Sequence, residues 1–182
     1  MNDEDVAMHY VCTREELREV LKEYSRFWVS NCGCREGNEA GCKRSRSDVC
    51  LLLAGEIGAS GSGKKEVTRT DVEAMLTEAE EKHLVTRPFR NADRTRVDGS
   101  CFCCDDCCGY FLDPKEKCDK GAMLETTKVE DCTDCGACAD VCFFRARKMA
   151  NGKLLIDRDQ CYGCGLCRDV CPIGCIEMSP RP

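Results

Sequence analysis

The chain is poor in the residues on which most enzymes and most large apolar cores depend. Aromatic residues make up 6% of its 182 positions, with Trp28 the single tryptophan. The apolar core is therefore expected to be modest. Histidines number two. His9 lies near one end and His83 closes an expected helix, where a cation would suit the helix dipole. No Ser/His/Asp set and no paired carboxylates stand out as a hydrolytic centre. Long apolar runs are also missing: the longest, Leu51-Leu52-Leu53-Ala54, falls far short of the ~20 residues that cross a bilayer. Met1-Asn2-Asp3-Glu4-Asp5 is acidic with no apolar stretch behind it, so neither a signal peptide nor a membrane span is expected. Positive charge is in deficit, with a net charge of −6 and a pI near 5.1. Such a surface disfavours nucleic acid and anionic membranes, and suits docking to basic patches on protein partners. The local exception, Lys43-Arg44-Ser45-Arg46, reads as a solvated loop, with a site for an anionic partner or ligand as the alternative.

Cysteine is abundant, at 20 residues. Such a content is usual in small secreted disulfide scaffolds. Without a leader, the expected setting is the reducing cytoplasm, where thiols stay free to hold metal and a metal-free chain would fold poorly. Eight cysteines form two equal runs, Cys132, Cys135, Cys138, Cys142 and Cys161, Cys164, Cys167, Cys171, with Pro172 next. Both read C-x2-C-x2-C-x3-C, the spacing of two-cluster iron–sulfur proteins. Three cysteines two residues apart wrap one face of a cubane. The fourth, opening a helix, points away and completes the other cluster. This assigns Cys132, Cys135, Cys138 and Cys171 to one [4Fe-4S] cluster, and Cys161, Cys164, Cys167 and Cys142 to the second. Gly136, Ala137, Gly163 and Gly165 sit between the ligands, where the backbone must bend tightly. Short strands at Lys128-Val129-Glu130 and Leu154-Leu155-Ile156 are expected to lead into the two loops, with a short helix starting near each fourth cysteine.

A second cysteine field lies upstream. Cys32-Gly33-Cys34-Arg35 is followed by Cys42 and Cys50, and Cys101, Cys103, Cys104, Cys107 and Cys108 form a dense block with Cys118 beyond. One or two further iron–sulfur clusters are expected here. The simplest partition puts one on Cys32, Cys34, Cys42 and Cys50 and another on the 101–108 block, while centres bridging both groups are equally allowed. Zinc is the alternative, since Cys103/Cys104-x2-Cys107 suits a tetrahedral thiolate site. Asp105 and Asp106 read as charges that tune or expose such a site. Cys175 reads as core packing, and Cys12 has no partner by spacing.

Thr13 and Glu16 form a capping box ahead of Leu17, Val20, Leu21 and Tyr24, which fall on one helical face. Trp28-Val29 then continue as a short extended or irregular segment. A second helix is expected over 71–83, capped by Thr70 and Glu73, with Val72, Met75, Leu76 and Ala79 buried. Between them, Gly58 to Lys65 imitates a phosphate-binding loop, but Lys65 stands where the magnesium-binding hydroxyl belongs. A flexible Gly/Ser loop is expected instead. Residues 87–100 are polar, with Pro88 and Gly99 as punctuation, and read as loop. Asp113 to Lys117 reads as a charged linker.

Residues 127–182 resemble bacterial two-[4Fe-4S] ferredoxins, over about a third of the chain; one departure is Phe143, where that family usually has proline after Cys142. The full length is similar to a group of uncharacterised 4Fe-4S binding proteins of anaerobes. In that group a C-x-C-R segment and a C-x-C-C-x2-C-C segment precede the ferredoxin domain, and Cys32 to Arg35 and Cys101 to Cys108 match them. The resemblance implies an oxygen-sensitive electron-transfer role, often beside a larger redox enzyme. The expected fold is α+β: an α-rich, cysteine-rich part over 1–124 and a ferredoxin-like part over 125–182. The leading expectation is an electron carrier or electron-transfer subunit serving a larger oxidoreductase. Alternatives are a catalytic oxidoreductase subunit, with a substrate-accessible cluster or dithiol in the 101–108 block, and a zinc-type sensor or interaction module.

Overall fold

The computed structural model describes residues 6–113 and 117–182. Of the expected linker, Pro114, Lys115 and Glu116 lie outside the described residues. Helix α1 (Arg14–Leu21) starts as the sequence indicates. Glu16 N–H donates to the Thr13 hydroxyl (3.1 Å) and Thr13 N–H donates to the Glu16 carboxylate (2.8 Å), closing the capping box. Helix α3 (Arg69–Glu81) starts two residues early, because Thr68 and Asp71 form the reciprocal cap instead of Thr70 and Glu73. Two T-x-x-acid frames overlap here, and the one whose threonine is already extended takes the role. The expected stripe, Val72, Met75, Leu76 and Ala79, is buried. The helix ends as Leu84 N–H donates to Ala79 and His83 N–H to Glu80, with His83 at φ 51 in the left-handed position more often held by glycine.

The part over 1–124 was expected to be α-rich. It is organised on a seven-stranded sheet of order β4-β2-β3-β6-β5-β1-β7. The strands are β1 (His9–Tyr10), β2 (Phe27–Ser30), β3 (Cys50–Leu52), β4 (Lys65–Val67), β5 (Val85–Arg90), β6 (Val97–Cys103) and β7 (Cys118–Asp119). All pairs are antiparallel except β1 with β7. The expected loop over 87–100 is thus corrected: most of it is the β5–β6 hairpin. Its polar character misled because Thr86, Arg87 and Ser100 are buried inside the protein. Gly99 is a packing residue, since a Cβ there would meet the Leu51 carbonyl oxygen at 2.2 Å and the Phe89 ring at 2.4 Å.

Strand alternation gives the sheet two different faces. One carries Phe27, Val29, Leu51 and Phe102 against Leu17 and Leu21 of α1 and Met75 and Leu76 of α3, forming the main apolar core. The other carries thiols: register sets Arg87 opposite Cys101 and Val85 opposite Cys103, with Ser30 opposite Cys50. Two one-turn helices, α2 (Gly33–Glu36) and α4 (Gly109–Leu112), follow Cys32 and Cys108.

Downstream, β8 (Met123–Thr127) pairs with β11 (Ile176–Pro180), and β9 (Arg147–Ala150) with β10 (Lys153–Ile156). The β9–β10 turn is Asn151-Gly152, both at positive φ (50 and 74). The expected strand at Lys128-Val129-Glu130 is replaced by a 3-10 turn over Val129–Asp131, because the strand has already ended at Thr127. Helices α5 (Ala137–Asp140) and α6 (Leu166–Asp169) precede the fourth cysteine of each run instead of starting at it. Left-handed glycines, Gly136 (φ 84) and Gly165 (φ 83), launch them one turn sooner. The two halves meet where α1 begins. Arg14, 2% exposed, pairs with Asp169 of α6, and Arg168 with Glu15 at 2.9 Å.

Gly99→Ala is expected to destabilise the protein by about 1–3 kcal/mol, the usual penalty for overpacking. Gly58→Ala, at a position with nothing within 4 Å, should be close to neutral. Anaerobic thermal unfolding of the two variants checks both.

Candidate metal centres

Seventeen sulfurs of the two cysteine fields fall into four groups. In the C-terminal part, Cys132, Cys135, Cys138 and Cys171 line one hollow together with Gly136, Leu154 and Ile176. Cys142, Cys161, Cys164 and Cys167 line a second with Val141, Gly163 and Leu166. Each run therefore gives three cysteines to one hollow and its fourth to the other. Backbone N–H groups aim at these sulfurs, as thiolate ligands require. Ala146 and Arg147 reach Cys142, Leu166 reaches Cys164, and Ile173, Gly174 and Cys175 reach Cys171. Four thiols around an enclosed space, with amide donors behind them, fit a cubane cluster. Gly163 (φ 78) cannot carry a side chain here, because a Cβ would lie 2.2 Å from the Met123 carbonyl oxygen. Cys175 is buried, and its sulfur lies 3.5 Å from that of Cys171 at the edge of the first hollow.

Arg147 was not singled out in the sequence, where a lone arginine entering a strand gives no signal. It is 3% exposed and its guanidinium donates to the Cys138 sulfur at 3.3 Å. The same side chain lines the second hollow, close enough to Cys167 to act on it electrostatically. Its counter-ion is Glu125, 2% exposed, which also pairs with Arg158 at 3.0 Å. One fixed positive charge therefore serves both four-cysteine groups.

The upstream cysteines do not divide as the simplest partition expected. Cys42 is separated from Cys32, Cys34 and Cys50, and the 101–108 block is split. Strand alternation explains the split: Cys101 and Cys103 point to the thiol face, and Cys104 to the helix face. A continuous chain of sulfur contacts runs from Cys50 through Cys101, Cys103, Cys108 and Cys34 to Cys32. Hydrogen bonds from Cys108 and Cys32 draw the Cys34 thiol well below its ordinary pKa. The Cys101 thiol draws Cys50 down to about 6, with help from Ser60 and Ser30. Cys108, beside Cys103 and Cys34, is pushed up. Arg87 lies across from Cys101 and acts on Cys34, Cys101 and Cys103 while stacking on Tyr110 at 4.3 Å. Six reduced thiols linked in a chain of neighbouring pairs need more positive charge than Arg87 supplies to ionise together, which is the condition a metal centre meets.

The remaining upstream group is Cys42, Cys104 and Cys107 with Asp106, whose ligand atoms all lie within 4.8 Å of one another. Burial works to raise the Cys42 thiol, but the N–H groups of Ser45 and Arg44, the Cys107 thiol and the Arg35 charge together hold it below its ordinary pKa. Arg35, 3% exposed, leaves the six-thiol group behind and approaches Cys104 at 3.6 Å, while donating to the carbonyls of Phe102 (2.9 Å) and Arg46 (3.0 Å). The basic stretch is not free solvent-facing charge: Arg44 pairs with Asp105 and Arg46 with Glu78. The Gly/Ser loop carries no phosphate-loop geometry. Lys64 donates to the carbonyls of Gly55 and Ile57, and strand β4 follows instead of a helix. Ser60 of that loop instead covers Cys50, at 3.7 Å. Cys12 is buried in the apolar core.

A family model described as 4Fe-4S dicluster domain matches residues 131–175. The C-terminal part is a ferredoxin-type 4Fe-4S domain. No curated protein matches the chain. Within the ferredoxin-type domain, Phe143 takes the place of the usual proline, and the structure shows what it does there. Its ring packs edge-on against Phe111 of α4 (5.8 Å) with Arg44 above it (5.0 Å), so it joins the domain to the upstream part.

Arg147→Gln, which leaves Glu125 paired with Arg158, is expected to lower the reduction potentials of the ferredoxin-type domain, on the order of 50 mV for one partly screened charge. Anaerobic protein-film voltammetry of the full chain checks it.

Proposed function

We propose that the chain is an electron-transfer protein or subunit that passes single electrons to or from a larger redox enzyme. The observation that carries this is the pair of four-sulfur hollows inside a segment matching a dicluster domain. In this reading Cys132, Cys135, Cys138 and Cys171 hold one [4Fe-4S] cluster, and Cys161, Cys164, Cys167 and Cys142 the other. When bound, such clusters supply outer-sphere one-electron chemistry. The chain's own residues ligate, direct N–H groups at sulfur, exclude water, and fix the Arg147 charge between the two groups, so no bond in a substrate is made or broken by them.

The six-thiol group extends the path. Cys103 and Cys108 share one buried cluster with Val11, Val85 and Leu166, and Cys164 of the second hollow packs against it. We assign to Cys32, Cys34, Cys50, Cys101, Cys103 and Cys108 a further iron–sulfur centre, with zinc as the competing occupant. Burial of Cys103, Cys104, Cys107 and Cys108 counts against the alternative of a substrate-accessible cluster or dithiol in this block. The net charge of −6 suits a partner with a basic docking patch. No helix among the described residues is long and apolar enough to cross a membrane, and we propose a cytoplasmic location. The division into parts at 1–124 and 125–182 belongs to the same proposal.

Reductive titration of the anaerobically purified chain, followed by EPR, should reveal more than two paramagnetic centres. Cys101→Ser should remove the extra signal and leave the other two. Signals for two clusters only would end the extended path, and none at all would end the electron-transfer reading.

A further inference from the structure

The group formed by Cys42, Cys104, Cys107 and Asp106 differs in kind from the two four-cysteine groups of the ferredoxin-type domain. Its sulfurs are close together: Cys104 to Cys107 is 3.2 Å and Cys42 to Cys104 is 3.7 Å. Bonds of about 2.3 Å from one ion, set at the tetrahedral angle, put thiolate sulfurs ~3.8 Å apart. A cubane carries its thiolates on separate irons and holds them further apart. The span of this group therefore suits a single ion.

The fourth corner is also prepared. Asp106 accepts the Lys43 N–H on one carboxylate oxygen (2.7 Å) and presents the other to the Cys42 sulfur at 3.7 Å. A carboxylate held from behind in this way has its free oxygen already oriented for a metal. Cys104 and Cys107 are buried, at 0% and 4% exposure, and the Arg35 guanidinium adds a compensating charge behind Cys104. All four donors come from protein, so no coordination position is left for substrate, which is the pattern of a structural site.

We propose that Cys42, Cys104, Cys107 and Asp106 bind one zinc ion tetrahedrally, separate from any iron–sulfur centre, and that this ion fastens the 42–48 loop to the end of β6. The ion adds to the loop's side-chain anchors: Arg44 pairs with Asp105, Ser45 and Arg46 reach Glu78 of α3, and Arg35 bridges Arg46 to Phe102. The adjacent pairs Cys103-Cys104 and Cys107-Cys108 then each divide between two centres, one sulfur to the six-thiol group and one to zinc. The proposal does not rest on the redox reading above.

The test uses the full chain purified without oxygen. Metal analysis should find one zinc per chain beside the iron, and zinc-edge X-ray absorption should show three sulfur neighbours and one oxygen. Cys42→Ser should lose the zinc and keep the iron, the acid-labile sulfide and every EPR signal. Asp106→Asn should weaken zinc at least about tenfold in chelator competition. Should Cys42→Ser fail to fold, the absorption spectrum of the unaltered chain decides alone. Absence of zinc, a shell of four sulfurs, or loss of iron with Cys42→Ser would overturn the proposal.

Discussion

Thiolate sulfur in a protein interior has to be met by positive charge or by N–H donors, and this requirement shapes the whole molecule. Three arginines are buried next to cysteines. Arg35 stands behind Cys104, Arg87 faces Cys34 and Cys101, and Arg147 touches Cys138 while acting on Cys167. A buried guanidinium is costly when alone and well placed when it serves several acceptors at once. Arg35 also ties two backbone carbonyls together, Arg87 stacks on Tyr110, and Arg147 holds Glu125 and Thr127, so the residues that balance the sulfurs also position the strands around them. The core can remain small because metal-binding sulfur takes over part of the cross-linking.

The two halves of the chain are joined through this chemistry as well as beside it. Arg14, the first residue of α1, reaches Asp169 at the end of α6, and the Thr13 methyl group approaches the position a Gly165 Cβ would fill at 3.4 Å. The capping box of the first helix thus sits directly on the loop of the second hollow. Phe143, Phe111, Phe144 and Tyr162 also pack in series, edge-on except for the last pair, which stacks at 4.2 Å. Four of the chain's eleven aromatic residues are spent on this seam.

Much of the C-terminal part was legible because C-x2-C-x2-C-x3-C imposes its own geometry, and the glycines between the ligands have no other reason to be there. The first helix was legible from Thr13, Glu16 and a clean apolar face. The upstream sheet was hidden for a physical reason. Its strands are short, and buried polar residues stand where inward apolar ones normally mark a strand: Arg87 faces the thiols beside Cys101, while Thr86 and Ser100 pair with Phe102 and Leu51 on the helix-covered face. The division of Cys101 to Cys108 was equally invisible until Cys101 was known to lie on a strand. After that, period-two alternation sends Cys104 away from Cys101 and Cys103. Arg147 carried no signal of its own, while Arg35 stood out only within the C-x-C-R segment and Asp106 only as a charge beside a metal site, since their partners Cys138, Cys104 and Cys42 are distant in sequence.

The doublets of the 101–108 block make this stretch intolerant of length change. Adding or removing one residue in β6 would exchange which sulfur faces which side, handing each neighbouring centre the wrong donors at once. The bulge between Phe89 and Arg90 and the turn beyond it lie outside that zone. Relatives of this protein should therefore vary in length around residues 91–96 and hold their count from 99 to 108. Drift in one centre's sequence there would be restrained by the other.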